Sequence, residues 1–317
     1  MSEQTVTVPT ERVLAFERCA NFRQLGGYVT EDGQHMVQHG RLYRAGGLCD
    51  LTPAEQQTLH ARTGVEVVLD LRHPEETARR PDPVLPGIVA EAVPCVSRDM
   101  SAAALAAVTV RVYHDVFAVE EEEDRDKDNE LCGGEGDEDG VDEETVARVR
   151  GTLASLEGLV AQGTAALPFA NAAVARLLAH MRAGRTLLWH CSAGKDRTGV
   201  LAMVALRVLG VPRATVVADY ALSNTCTRER ALAMLARHRR IVEAVTGVHL
   251  EFAPNAALEA FRDVVGVRPA NIEAAMDAID ARHGSFEQYL LAEYGVTALD
   301  VQIIRAQYLV PCTAPQS

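Results

Sequence analysis

Apolar positions along the chain recur with two different periods. The stretches Val65–Arg72, Ile88–Val93 and Thr186–His190 are short and largely apolar, as strands buried on both faces of a parallel sheet are. Longer stretches carry apolar residues at helical spacing. Residues 169–182 place Val174, Leu177, Leu178 and Met181 on one face, and Gly184 closes them. Residues 200–209 repeat the pattern with Val200, Leu201, Val204, Leu206, Val208 and Leu209. Leu51–Glu55 is a helix start: Thr52 fits the N-cap, Pro53 the first turn, Glu55 the reciprocal capping position, and the helix runs to about Arg62 before Gly64. Further helices are expected over 101–119, where Val108, Val112, Val116 and Val119 recur, and over 145–160, 215–223, 285–294 and 297–309. Residues 225–281 read as helical with breaks near Gly247 and Gly266–Pro269. Strands interleaved with helices predict an α/β fold: a central, mostly parallel sheet of four or five strands flanked by helices, as one domain over residues 1–317.

Charge changes this picture in one place. The net charge is −13, but residues 120–144 hold fifteen acids and two bases, so the remainder of the chain is balanced. That segment also carries four glycines and little apolar content, which predicts a disordered acidic insert on a neutral body. The plain reading is a tolerated surface insertion. An interaction tail, a cation collector or an electrostatic gate over a basic pocket is the sharper one. A neutral body gives no ground for nucleic-acid binding. Seven scattered cysteines without a Cys-x2-Cys pair argue against a disulfide framework or a zinc site and for a reducing compartment. The N-terminus has no apolar core like that of a signal peptide, and the apolar run near 200–211 is broken by Arg207, so the expected location is the cytoplasm, without a membrane span.

The candidate chemistry sits between the third strand and the helix after it. Residues 190–199 read HCSAGKDRTG. Strand, glycine-containing loop and helix N-terminus make an anion cradle, because successive backbone N–H groups turn inward and the helix end adds positive potential. Here the cradle opens with Cys191 and has Arg197 six positions on; none of the other six cysteines has an arginine at that spacing. A thiol there should ionise readily. A thiolate, inward amides and a planar guanidinium suit attack on a phosphate monoester: Cys191 as nucleophile, Arg197 holding two oxygens, and the amides of Ser192, Ala193, Gly194, Lys195, Asp196 and Arg197 holding the rest. His190 can fix the environment of the cysteine, Gly194 permits the turn, and the Thr198 hydroxyl is placed to donate to the sulfur. No cofactor or metal is called for. Lys195 is one of only two lysines against 29 arginines, and a point charge here favours substrates with more than one phosphate. Asp70 and Arg72 end a central strand at its carboxyl end, where ligands of open α/β sheets sit, so both are site candidates.

HCSAGKDRTG resembles the HCxxGKDR[ST]G loop of bacterial dual- and triple-specificity phosphatases within the protein-tyrosine-phosphatase superfamily. Three further segments share the resemblance: Asn21–Gly27 (NFRQLGG), the DLR at 70–72 followed by Glu75 and Glu76, and Asp219–Asn224 (DYALSN). The resemblance implies a cysteine-dependent phosphatase acting through a cysteinyl phosphate on phosphotyrosine, phosphoserine or phosphothreonine, and phosphoinositides. It also implies a helical lid within 225–281 and a substrate-side role for Arg23 beside the loop, with Arg44 as a structural ion-pair partner. The proton donor it implies is Asp196, within the loop; Asp70 is the runner-up, and Asp99 and Asp115 follow. Two other classes remain open at this level: a non-catalytic phosphate-binding module, and another thiolate enzyme such as a sulfurtransferase or an arsenate reductase, for which Cys226 would be the nearby resolving cysteine.

Overall fold

The computed structural model describes residues 13, 16–107, 116 and 141–312. In chain order the strands are β1 (Arg23–Gln24), β2 (His35–Val37), β3 (Leu42–Ala45), β4 (Val67–Asp70), β5 (Val89–Ala92), β6 (Leu187–His190) and β7 (Leu309–Pro311). Five of them make one sheet in the order β1-β3-β6-β4-β5. The last four are parallel, and β1 is antiparallel on the edge. The expected mostly parallel sheet is therefore present. Every residue of β3, β4 and β6 is buried, which is why these segments lack a polar face, whereas β5 is an edge strand and largely exposed. The remaining pair, β2 and β7, forms a separate antiparallel ribbon. Three residues a side are too few to leave a period in the sequence.

Helix α1 (Pro53–Thr63) is bounded as its sequence dictates. The Thr52 hydroxyl accepts the Glu55 N–H, the Glu55 carboxylate accepts the Thr52 N–H at 2.8 Å, and Gly64 at φ 68° closes the end. A short α2 (Pro74–Arg79) follows β4, and α3 (Ala102–Ala107) follows β5. The rest of the helix expected to 119, apart from Val116, lies outside the described residues, as does the acidic insert up to residue 140. At the end of that insert, Asp142 caps α4 (Glu143–Ala166) by accepting the Thr145 N–H, and Glu143 and Glu144 enter its first turn, where negative charge meets the positive helix end. This helix is longer than the expected 145–160. Next come α5 (Ala172–Arg182), α6 (Asp196–Val208), α7 (Arg213–Cys226), α8 (Arg228–Arg237), α9 (Arg239–Thr246), α10 (Pro254–Ala260), α11 (Arg262–Val265), α12 (Pro269–His283), α13 (Phe286–Tyr294) and α14 (Ala298–Tyr308).

Two apolar clusters organise these helices. The larger surrounds β6 and α6 and includes Leu187, Trp189, Leu201, Met203, Ile272 and Met276. Helix α6 is buried on every side from Arg197 to Leu206, which holds the preceding loop rigidly against the sheet. The second cluster joins α4 to α8–α11 through Val149, Leu156, Val160, Leu235, Val242 and Phe261. The 228–265 helices thus have a core of their own. Gly247 ends α9 in the left-handed region as expected, but further breaks fall at Thr227, His238 and Phe261, where no glycine or proline marks them. Among the described residues, no helix is long and apolar enough to cross a membrane.

Candidate active site

β6 delivers His190 and Cys191 to the carboxyl edge of the sheet, and α6 starts at Asp196. The Cys191 sulfur accepts the Gly194 N–H at 3.3 Å, so the loop folds around it. Gly194 has φ 69°, and a Cβ there would lie 2.4 Å from the Ala45 carbonyl oxygen and 2.6 Å from the Gly46 nitrogen. Only glycine fits this approach of two backbones. The contact is fastened by the Gly47 N–H, which donates to the Ser192 carbonyl at 3.0 Å.

The far side of the loop is held by buried charge. The Gly194 carbonyl accepts from Asn21 Nδ2 at 2.7 Å and from Arg44 Nη2 at 2.9 Å. A trans peptide places its N–H opposite its carbonyl, so these bonds turn the Lys195 N–H away from Asn21 and Arg44. Arg44 also reaches Asp219 at 2.6 Å, and Asp219 accepts from Arg23 and from the Tyr28 hydroxyl, each at 3.1 Å. Burial alone would raise the Asp219 pKa, yet the two guanidinium groups override it and hold the carboxyl at about 2.

Arg197 closes the other side. Its Nη1 and Nη2 donate to the two Glu76 carboxylate oxygens at 2.6 and 2.9 Å, and the Ser192 hydroxyl donates to the same carboxylate at 2.6 Å. Against its burial, the fork holds Glu76 at about 2. The Arg197 Nε is buried without a hydrogen-bond partner. The site therefore brings together the Cys191 sulfur, the Gly194 amide and a fixed guanidinium.

A family model described as the tyrosine phosphatase family matches residues 14–310. The chain belongs to the tyrosine phosphatase family. The H16_A0669 protein of Cupriavidus necator, named as a candidate tyrosine-protein phosphatase, is 29% identical over 308 residues, covering 93% of this chain and 88% of that protein. The triple specificity protein phosphatase PtpB of Mycobacterium tuberculosis is 29% identical over 292 residues, covering 91% and 96%. A tyrosine-protein phosphatase of Nostoc commune is 54% identical over 37 residues, 12% of this chain and 13% of that protein. Family membership makes this chain a cysteine-dependent phosphatase.

Within this tyrosine phosphatase several expected site residues stand elsewhere than foreseen. Arg23 is fully buried behind the loop, on Asp219, Asn21 and Ser223; it braces the site and does not face substrate. The Thr198 hydroxyl is buried without a hydrogen-bond partner, so it does not donate to the sulfur. Ala193 is half-buried on the loop. His190 Nδ1 lies 3.3 Å from the Cys191 carbonyl. Its Nε2 lies 3.0 Å from Asp82 without hydrogen-bond alignment. Asp70 is committed to Arg72 through bonds of 2.9 and 2.8 Å and accepts the Thr77 hydroxyl at 3.2 Å. Asp70, Asp82 and His190 bring three potential metal-ligating atoms within 4.8 Å of one another, but the Arg72 guanidinium lies 2.8 Å from both carboxylates and already supplies the positive charge. Asp99 makes an exposed ion pair with Arg282, and Asp115 lies outside the described residues.

Lys195 is not the free point charge its sequence suggested. It is buried, and its Nζ donates to the Val264 carbonyl of α11 at 2.9 Å. Burial lowers its pKa, opposed by Asp196, Cys191 and Asp263. Two residues C-terminal to α11, Val267 is clamped through both backbone groups by the Asn224 amide at 2.8 and 2.9 Å. The 262–268 segment is thus pinned to the catalytic loop and to α7. Asp196 is half-exposed and accepts the Tyr220 hydroxyl at 2.8 Å. All four polar residues of the DYALSN segment, Asp219, Tyr220, Ser223 and Asn224, face this machinery. The roles of Tyr220 and Asn224 were not legible individually; the available signal was a run of polar residues inside an otherwise amphipathic helix. Glu76 was marked only as one of two glutamates after the DLR.

Proposed function

We propose that this phosphatase hydrolyses phosphotyrosine, phosphoserine, phosphothreonine and phosphoinositide monoesters through a phosphate carried on Cys191. The observation that carries the reading is the Cys191 sulfur held by the Gly194 N–H at 3.3 Å, in a loop whose Arg197 keeps a buried, unpaired Nε. In the first step the Cys191 thiolate attacks phosphorus and the P–O bond to the leaving group breaks. Asp196 gives its proton to the leaving oxygen. Arg197 Nε and the loop amides take up the charge on the equatorial oxygens, where preorganised donors are most effective. In the second step Asp196 takes a proton from water, the water oxygen attacks phosphorus, and the thiolate departs. The breadth of substrate rests on the likeness to a triple specificity phosphatase and on Lys195, which can trade the Val264 carbonyl for a second phosphate. Residues 1–317 then act as one catalytic unit, with the helices between Arg228 and Val265 as its lid. The test is phosphate release from phosphotyrosine, phosphoserine and phosphoinositide substrates, with Cys191→Ser alongside. Turnover by the parent and none by the variant supports the mechanism. If neither turns over, the mechanism fails.

A further inference from the structure

We propose that Tyr220 is a positioning residue that anchors Oδ1 of Asp196 and leaves Oδ2 as the oxygen that gives and takes the proton. The proposal rests on the reading of Asp196 as general acid and base. Its ground is geometric. The Tyr220 hydroxyl lies 2.8 Å from Asp196 Oδ1. The ring is seated against α6 at Gly199, where a Cβ would come within 2.5 and 2.6 Å of ring carbons Cδ2 and Cε2. Glycine is a poor helix former, and here it makes room for the tyrosine. The adjoining Asp219 is bonded to Arg23 and Arg44, so the turn of α7 that bears Tyr220 is fixed.

Tyr220 is 1% exposed. Burial, then the neighbouring Asp196 charge, holds its proton firmly, so the hydroxyl remains a donor. It can keep its bond to Oδ1 whether Oδ2 is protonated or not. The carboxyl then keeps one rotamer through both half-reactions, with Oδ2 turned to the leaving oxygen first and to the attacking water second. A neutral hydroxyl also bonds a carboxylate more strongly than a neutral acid, so its removal weakens the hold on the charged form. The titratable, charged and polar groups around the pair are Lys195 beside Asp196, itself facing Cys191 and Asp263, with Arg44 from β3 and Asn271 on α12 against Tyr220.

The test is the pH dependence of kcat for the parent, Tyr220→Phe and Asp196→Asn, on p-nitrophenyl phosphate and on phenyl phosphate, whose leaving group is poorer. Tyr220→Phe is expected to lower kcat about tenfold with KM within about twofold, and to move up by about one pH unit the limb that Asp196→Asn abolishes. The loss should be larger on phenyl phosphate. Fluorinated tyrosine at position 220 keeps the shape while strengthening the donor, and is expected to move the same limb downward. A limb abolished by Asp196→Asn but unmoved by either change at 220 overturns the proposal alone. A limb that survives Asp196→Asn overturns the assignment of Asp196, and the proposal with it.

Discussion

Asp219 and Gly194 share one guanidinium: Arg44 donates to the Asp219 carboxylate at 2.6 Å and to the Gly194 carbonyl at 2.9 Å. A buried ion pair on α7 is thereby bonded directly to the backbone of the nucleophile loop. Arg44→Ala leaves Asp219 with Arg23 and Tyr28 as its remaining partners and frees the Gly194 carbonyl. Breaking a buried pair from one side costs about 3–5 kcal/mol, so the urea midpoint should fall accordingly, and turnover should fall more than tenfold even well below that midpoint. Unchanged turnover in the folded variant would mean that the loop keeps its shape without the bond.

Gly194→Ala meets a harder obstacle. Its Cβ would stand 2.4 Å from the Ala45 carbonyl at a φ of 69°, so either the loop or the Ala45–Gly47 turn must move. Displacing reacting groups by about 1 Å costs on the order of a hundredfold in rate. Steady-state kinetics on the folded variant should show that loss mainly in kcat.

The two carboxylates held near 2 make the site acid-sensitive. The ordinary values are 4.5 for Glu76 and 3.8 for Asp219, and both are lowered in the folded chain. Between those values and about 2 the unfolded chain binds more protons than the folded one. Their contribution is therefore complete above the ordinary values and is lost as the pH falls toward 2, with a slope of about 1.4 kcal/mol per pH unit for each group. Urea unfolding at pH 7, 4 and 3 should show this slope, and Glu76→Gln should flatten it. An equal slope in the variant would remove Glu76 from the account.

Lys195 and Asn224 both hold the 262–268 segment, one through Val264 and the other through Val267. Lys195→Met and Asn224→Ala should each raise amide exchange within that segment by about tenfold, since one net hydrogen bond is worth roughly 1 kcal/mol and a bond to a charged group more. Exchange in α6 should not change. If exchange rises equally across α4 and α8–α10, the shared apolar core rather than these bonds is what holds these helices.

Local terms were legible in the chain alone. A thiol and a guanidinium six positions apart, between an apolar strand and an apolar helix, set the nucleophile loop, because strand end, loop and helix start are adjacent in the chain. The caps of α1 and the fully buried central strands were legible for the same reason: a capping box spans four residues, and a strand buried on both faces has no polar period. The tertiary structure decided what comes from afar. It turned Arg23 from a substrate contact into a brace on Asp219, gave Asp70 to Arg72, drew Lys195 onto Val264 and brought Tyr220 to Asp196. A buried charge must find a partner, but its residue type does not say which one. The Glu76 that takes both terminal nitrogens of Arg197 lies 121 residues away, and only the packing of α2 beside the loop selects it.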